Sequence, residues 1–179
     1  MKRKMIAVLS LVLIAGLVAV SDFADAYMRK ITEEVDNTFI PAYVDCVVTE
    51  DFADNKKTSI TVENTGNIDA YIRVRLVSYW IDESGAIVSK SSEMPTFTKA
   101  SDWIQDAGND TYYYTKKVAP DAFTTTLLDS GSTITLRLSS EGYRQVVEVF
   151  AEAIQAEPDE AVTDSWNVTI ADDVITSVN

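Results

Sequence analysis

The sequence predicts an all-β fold, an antiparallel sandwich or barrel carrying one short helix. Three observations predict it. Segments of about six to twelve residues alternate apolar and polar side chains with period 2, as a strand with one buried face requires. Clusters of Asn, Asp, Gly and Pro punctuate them at short intervals. The clearest helix start, Pro158-Asp159-Glu160-Ala161, opens only a short segment. Seven or more short strands separated by turns pack as an antiparallel sandwich or close as a barrel.

In chain order, Tyr43 to Thr49 is rich in valine and reads as a first strand, and Thr58 to Glu63 alternates Ile60 and Val62 with Ser59, Thr61 and Glu63. Asn64-Thr65-Gly66-Asn67 is a turn, in which Gly66 is expected to supply a positive φ and the Asn side chains to bond neighbouring backbone. Ala70 to Ile81 is the strongest strand. Ala70, Ile72, Val74, Leu76, Ser78 and Trp80 form its core face, and the opposite face carries Arg73 and Arg75 and is expected to meet solvent. Asp82-Glu83-Ser84-Gly85 turns the chain into Ala86 to Ser89 as a hairpin. Residues 91–111 read as a long loop around Trp103. Strands are expected over Thr111 to Val118, Phe123 to Leu128 and Ser132 to Leu138. In residues 144–156, Ala, Glu and Gln favour helix, whereas Val146, Val147, Val149 and Ile154 favour strand; the period-2 placement decides for strand. Proline at a first helical position followed by acids gives a helix from Pro158 through Trp166, and Val168 to Val178 closes the fold as one or two strands.

The first 26 residues read as an export leader. Met1-Lys2-Arg3-Lys4 is basic, Met5 to Val20 is apolar apart from Ser10 and Gly16, and Ala24-Asp25-Ala26 is an A-x-A cleavage site placing Tyr27 at the new N-terminus. The apolar run of 16 residues is shorter than the roughly 20 of a stable span, although a retained signal anchor is the alternative. The expected organisation is a signal peptide forming a helix at 1–26, an N-terminal extension at 27–40 and a β-sandwich domain at 41–179. The product is expected to be secreted, in an extracellular matrix or at the cell surface, with a membrane contact only through an uncleaved leader.

Removing residues 1–26 takes away Lys2, Arg3, Lys4, Asp22 and Asp25. It leaves 12 basic against 26 acidic residues, a net charge of −14. Such a surface disfavours nucleic acid and anionic membranes, which require positive fields. The chain contains no histidine. This excludes Ser-His-Asp and Cys-His nucleophiles and the HExxH zinc site, so no enzyme activity and no catalytic residues are expected. Cys46, the single cysteine, is either buried in a strand or paired between chains.

Several residues bear on family. Ala26-Tyr27, Asn37-Thr38-Phe39, Val44-Asp45 and the run Val62-Glu63-Asn64-Thr65-Gly66-Asn67-Ile68-Asp69-Ala70-Tyr71-Ile72-Arg73-Val74 occur in an order continued by Tyr112-Tyr113-Tyr114, Val118-Ala119-Pro120, Leu127-Leu128-Asp129 and Ala153-Ile154-Gln155-Ala156. This order resembles the TasA and camelysin (CalY) family of secreted Gram-positive proteins, whose leaders are cut by a SipW-type signal peptidase. The resemblance implies a jelly-roll β-sandwich serving as a subunit of a biofilm matrix or surface fibre. Relatives of camelysin have been described as metalloproteases; no residue pattern here supports that activity.

The candidate sites follow. Trp103, Tyr112 and Tyr114, with Arg73 and Arg75, are a possible ligand surface: aromatic rings stack on sugars and arginines meet acidic partners. That is the basis of a second functional reading, a monomeric surface module binding glycan or protein. Asp102, Asp106 and Asp110 are oxygen-rich but lack the spacing of a calcium loop. No cofactor and no metal is expected. The assembly segment is Tyr27, Ile31, Val35 and Phe39, which recur every four residues and share one strand face with Arg29, Glu33 and Asn37. Cleavage is expected to free this segment as a donor strand for the edge of a neighbouring copy. The partner is then the chain itself in a head-to-tail homopolymer, or another matrix protein.

Overall fold

The computed structural model describes residues 40–89 and 92–179. The leader, its cleavage residues Ala24, Ala26 and Tyr27, and the assembly residues Tyr27, Ile31, Val35 and Phe39 lie outside the described residues.

Ten strands and one helix are described: β1 (Cys46–Ala53), β2 (Lys56–Asn64), β3 (Ala70–Ile81), β4 (Ile87–Ser89), β5 (Trp103–Gln105), β6 (Thr111–Tyr114), β7 (Ile134–Thr135), β8 (Arg144–Gln155), α1 (Asp159–Trp166), β9 (Val168–Ala171) and β10 (Val174–Val178). Every pairing is antiparallel. The described residues therefore form an all-β sandwich with one short helix, as their alternation predicts.

One sheet has the order β1-β2-β7. In the other, β8 pairs with β3 along its whole length, from Ala70↔Gln155 to Ile81↔Arg144. The opposite edge of β3 is shared by β6 at Arg73–Arg75 and β4 at Trp80–Ile81, and β5 extends the sheet beyond β6. The alternation of β3 explains the layering. Ile72, Val74 and Leu76 point between the sheets and meet Ile60, Val62, Tyr112, Tyr114, Leu127, Leu128, Ile134 and Val147.

The other face of β3 departs from the expectation of solvent. Tyr71 and Tyr113 are buried beneath Val162 and Trp166 of α1 and Val168 and Ile175 of the β9–β10 hairpin. Helix and hairpin thus form a third layer over the outer face of the sheet. Trp80, placed on the core face by alternation, is only half-buried.

Local chemistry accounts for the turns. Asp54 and Asn55 (φ 51° and 59°) connect β1 to β2, and Asp172 and Asp173 (φ 51° and 62°) connect β9 to β10. These are two-residue loops with both residues left-handed, the geometry that suits strand twist. α1 carries Asp159 and Glu160 in its first turn, where they oppose the helix dipole, and Asn167 caps its end in the left-handed region.

Three strand expectations shrink. Thr111 to Val118 pairs regularly only over Thr111–Tyr114, with isolated bridges at Lys116 and Val118. Of Ser132 to Leu138, only Ile134–Thr135 pair as a strand. Phe123 to Leu128 runs along β2 without forming a regular ladder. Its threonines supply acceptors: Ile60 N–H donates to Thr126 Oγ1 and Val62 N–H to Thr124 Oγ1. The expected loop at 91–111 in turn contains a strand, β5.

Candidate functional site: the open flank and the exit of the N-terminal segment

The segment Val118 to Leu128 seals one flank of the sandwich. It bonds to β3 at Ala70–Val118 in both directions (3.0 and 2.8 Å), then crosses to β2, where Asn64 N–H donates to Ala122 O (2.9 Å) and Leu127 N–H to Ile60 O (2.8 Å). Among the described residues the other flank is open, and β1 pairs with β2 alone. Beyond the Leu138–Arg144 bridge and the Gln145 N–H to Arg137 O bond, β8 pairs with β3 alone among the described residues. β1 and β8 run close together, and Cys46, Val48, Val149, Ala151 and Ala153 pack half-buried against the core there. A cleft of about 280 Å³ opens at one end of this flank, where Phe52, Leu136, Leu138, Val146 and Val147 alternate with charged and polar residues that include Glu50, Lys57, Arg137 and Arg144. Unpaired strand edges present rows of N–H and C=O groups that can accept a further strand.

The Asn64-Thr65-Gly66-Asn67 turn holds the chain where it enters the described domain. Asn67 N–H donates to Tyr43 O (3.1 Å) and Thr65 N–H to Asp45 O (3.0 Å). Tyr43 N–H donates to Asn67 Oδ1 (2.8 Å), and Asn67 Nδ2 donates to Pro41 O (3.0 Å). Beneath them, buried Asn64 donates through Nδ2 to Ile68 O and Val118 O (both 2.8 Å) and accepts from Gly66 N–H (2.9 Å). The reason for Gly66 is corrected. Its φ is not in the left-handed range. A Cβ there would lie 2.6 Å from Tyr43 O, so glycine is required for the close approach of residues 43–45. The turn is a clamp on the base of the N-terminal extension, a role not evident from its composition.

The proposed ligand surface does not assemble. Trp103 is fully buried, and its ring lies 5.2 Å from that of Tyr114; Tyr112 packs 5.6 Å from Phe97. All three aromatics face inward, so an external stacking platform at Trp103, Tyr112 and Tyr114 is ruled out by burial. Arg73 and Arg75 occupy the opposite face. Arg73 stacks on Trp166 and Tyr113 and pairs with Glu152 at 2.6 Å. Arg75 lies in an outer cleft of about 250 Å³ that also contains Phe150 and Asp106. Asp102 pairs with Lys116 (3.0 Å), and Asp106 accepts from Gly108 N–H and Asn109 Nδ2. These two acids are occupied separately rather than converging. Cys46 is free and half-buried in β1; burial, then the charges of Asp45 and Glu152, pushes its thiol up.

A group of residues absent from the sequence-based candidates converges beside the third layer. Glu157, Asp159 and Asp173 bring carboxylate oxygens within 4.8 Å of one another. Lys117 Nζ reaches Asp173 at 2.7 Å and also pairs with Glu157. Asp159 and Asp173 are 14 positions apart and meet only because the β9–β10 hairpin returns toward the start of α1. No spacing motif marks the set. Compared with known proteins, the chain matches no family model, no curated protein and no solved structure.

Proposed function

We propose that this chain is a secreted structural subunit of an extracellular matrix or surface filament, assembling by β-strand addition once its leader is removed. The observation that carries the reading is the open flank, where β1 and β8 leave backbone edges unpaired among the described residues, beside a cleft of mixed apolar and polar lining. In this reading, residues 27–40 of one copy lie along the flank of the next, with Tyr27, Ile31, Val35 and Phe39 directed at Phe52, Leu136, Leu138, Val146 and Val147. Backbone bonds supply affinity and the alternate side chains supply register. The clamp at Asn64–Asn67 holds residues 41–45, to which the extension is joined. Each copy gives a strand at one place and takes one at another, a head-to-tail relation that yields open filaments. Jelly-roll connectivity belongs to the same proposal.

The test is deletion of residues 27–38 with negative-stain microscopy and light scattering of the secreted protein. The full mature chain is expected to form filaments whose growth quickens with salt, because screening weakens repulsion between copies of charge −14. The deleted form is expected to stay monomeric. Filaments from the deleted form would refute strand donation.

A further inference from the structure

Three carboxylates and one ammonium leave two excess negative charges at the Glu157–Asp159–Asp173 cluster. Two polar atoms there have no hydrogen-bond partner among the described residues: Asp159 Oδ1 and the hydroxyl of Tyr71, whose side chain is 0% exposed. Glu157 and Asp173 are exposed to solvent, whereas leaving a buried polar group unpaired costs about 1–3 kcal/mol, which a partner reaching these two atoms would recover. The Ala70–Val118 bridge sets Tyr71 across from Lys117, whose ammonium pairs with Glu157 and Asp173, so the ring lies on the side of the sheet where the cluster forms.

We propose that Glu157, Asp159, Asp173 and the Tyr71 hydroxyl form a binding site for a divalent cation of the calcium class. The donor set is all oxygen and carries no nitrogen or sulfur. Such a set suits a hard cation, which accepts carboxylates and neutral oxygens together and fills the remaining positions with water. Lys117 is the resident counter-ion. Its flexible stem lets the ammonium swing out when a divalent ion enters, so it lowers affinity while keeping the cation-free protein folded. The bound ion ties three elements together: β3 through Tyr71, the start of α1 through Glu157 and Asp159, and the β9–β10 turn through Asp173. It thereby fastens the third layer to the sheet.

The test uses the purified, chelator-stripped full chain with Tb³⁺ as probe, excited through the protein's aromatic rings, followed by displacement with Ca²⁺ alone. One saturable site reversed by Ca²⁺ is expected, with a Ca²⁺ dissociation constant on the order of 10⁻⁴–10⁻³ M. Asp173→Asn should weaken binding at least about tenfold, and Lys117→Met should tighten it by a similar factor through loss of the competing charge. Tyr71→Phe should weaken binding while raising the melting temperature of the cation-free protein, because it deletes an unpartnered hydroxyl. Circular dichroism confirms folding of each variant; Glu157→Gln decides the case if Asp173→Asn does not fold. Asp106→Asn, remote from the cluster, should bind as the unaltered chain does. The proposal is overturned by absence of a saturable signal, by unchanged binding in the folded Asp173 or Glu157 variant, or by no gain in affinity from Lys117→Met.

Discussion

The guanidinium of Arg73 lies 4.9 Å from the ring of Trp166, joining the outer face of β3 to the last turn of α1. Tyr113 meets the same indole edge-on, with centroids 5.7 Å apart. Trp166 is therefore the anchor of the third layer and Arg73 its lid. Trp166→Ala is expected to lower stability by about 3–5 kcal/mol, as for a large buried aromatic. Arg73→Met keeps the aliphatic stem but removes the cation–π contact and the partly exposed Glu152 pair, and should cost about 1 kcal/mol. Urea unfolding of the two variants measures both. Equal losses would show that the ion pair, rather than the packed ring, holds the helix.

The clamp around Gly66 gives a second expectation. Gly66→Ala places a methyl 2.6 Å from a backbone oxygen that belongs to residue 43, so residues 43–45 must move away. Asn64→Ala empties a fully buried site, removing the donor to Ile68 O, a second donor to Val118 O beside that from Ala70 N–H, and the acceptor of Gly66 N–H. Each substitution is expected to cost about 1–3 kcal/mol. Hydrogen exchange should show faster exchange at Tyr43 N–H in the Gly66 variant than in the unaltered chain. Unchanged protection there would mean that the turn does not hold the extension's base.

Tyr112 sets a pH dependence. Burial, reinforced by the charge of Asp110, pushes its phenol up to about 12. The folded protein therefore holds this proton more tightly than the unfolded chain, whose phenol titrates near 10. The stabilisation is complete below about pH 10 and is lost as pH rises towards 12, at about 1.4 kcal/mol per pH unit from this group. Denaturant unfolding between pH 9 and 11.5 should show the decline, and Tyr112→Phe should flatten it by about one proton's worth.

The sandwich is legible in the sequence where a strand has one wet and one dry face, or where β-branched residues are dense. β2 and β3 are read from their alternation. β8 is read despite its alanines and glutamates, because Val147, Val149, Ala151 and Ala153 recur on one face. Three features are less legible, each for a physical reason. Tyr113 and Tyr71 look solvent-facing by period 2 because the layer covering them comes from α1 and the hairpin, far along the chain. Thr124 and Thr126 read as strand residues, yet their hydroxyls replace ladder carbonyls. The carboxylate cluster is invisible because it joins a turn to a helix start across a hairpin, and no linear spacing encodes that meeting.

The crossing of Val118 to Leu128 between the sheets has a consequence for how copies of the chain relate. With that side capped by irregular backbone, pairing along the seam between the two sheets is left, among the described residues, to the edges of β1 and β8. On the proposed strand addition, copies joined through that seam would follow one another in single file, because the opposite side offers no matching ladder.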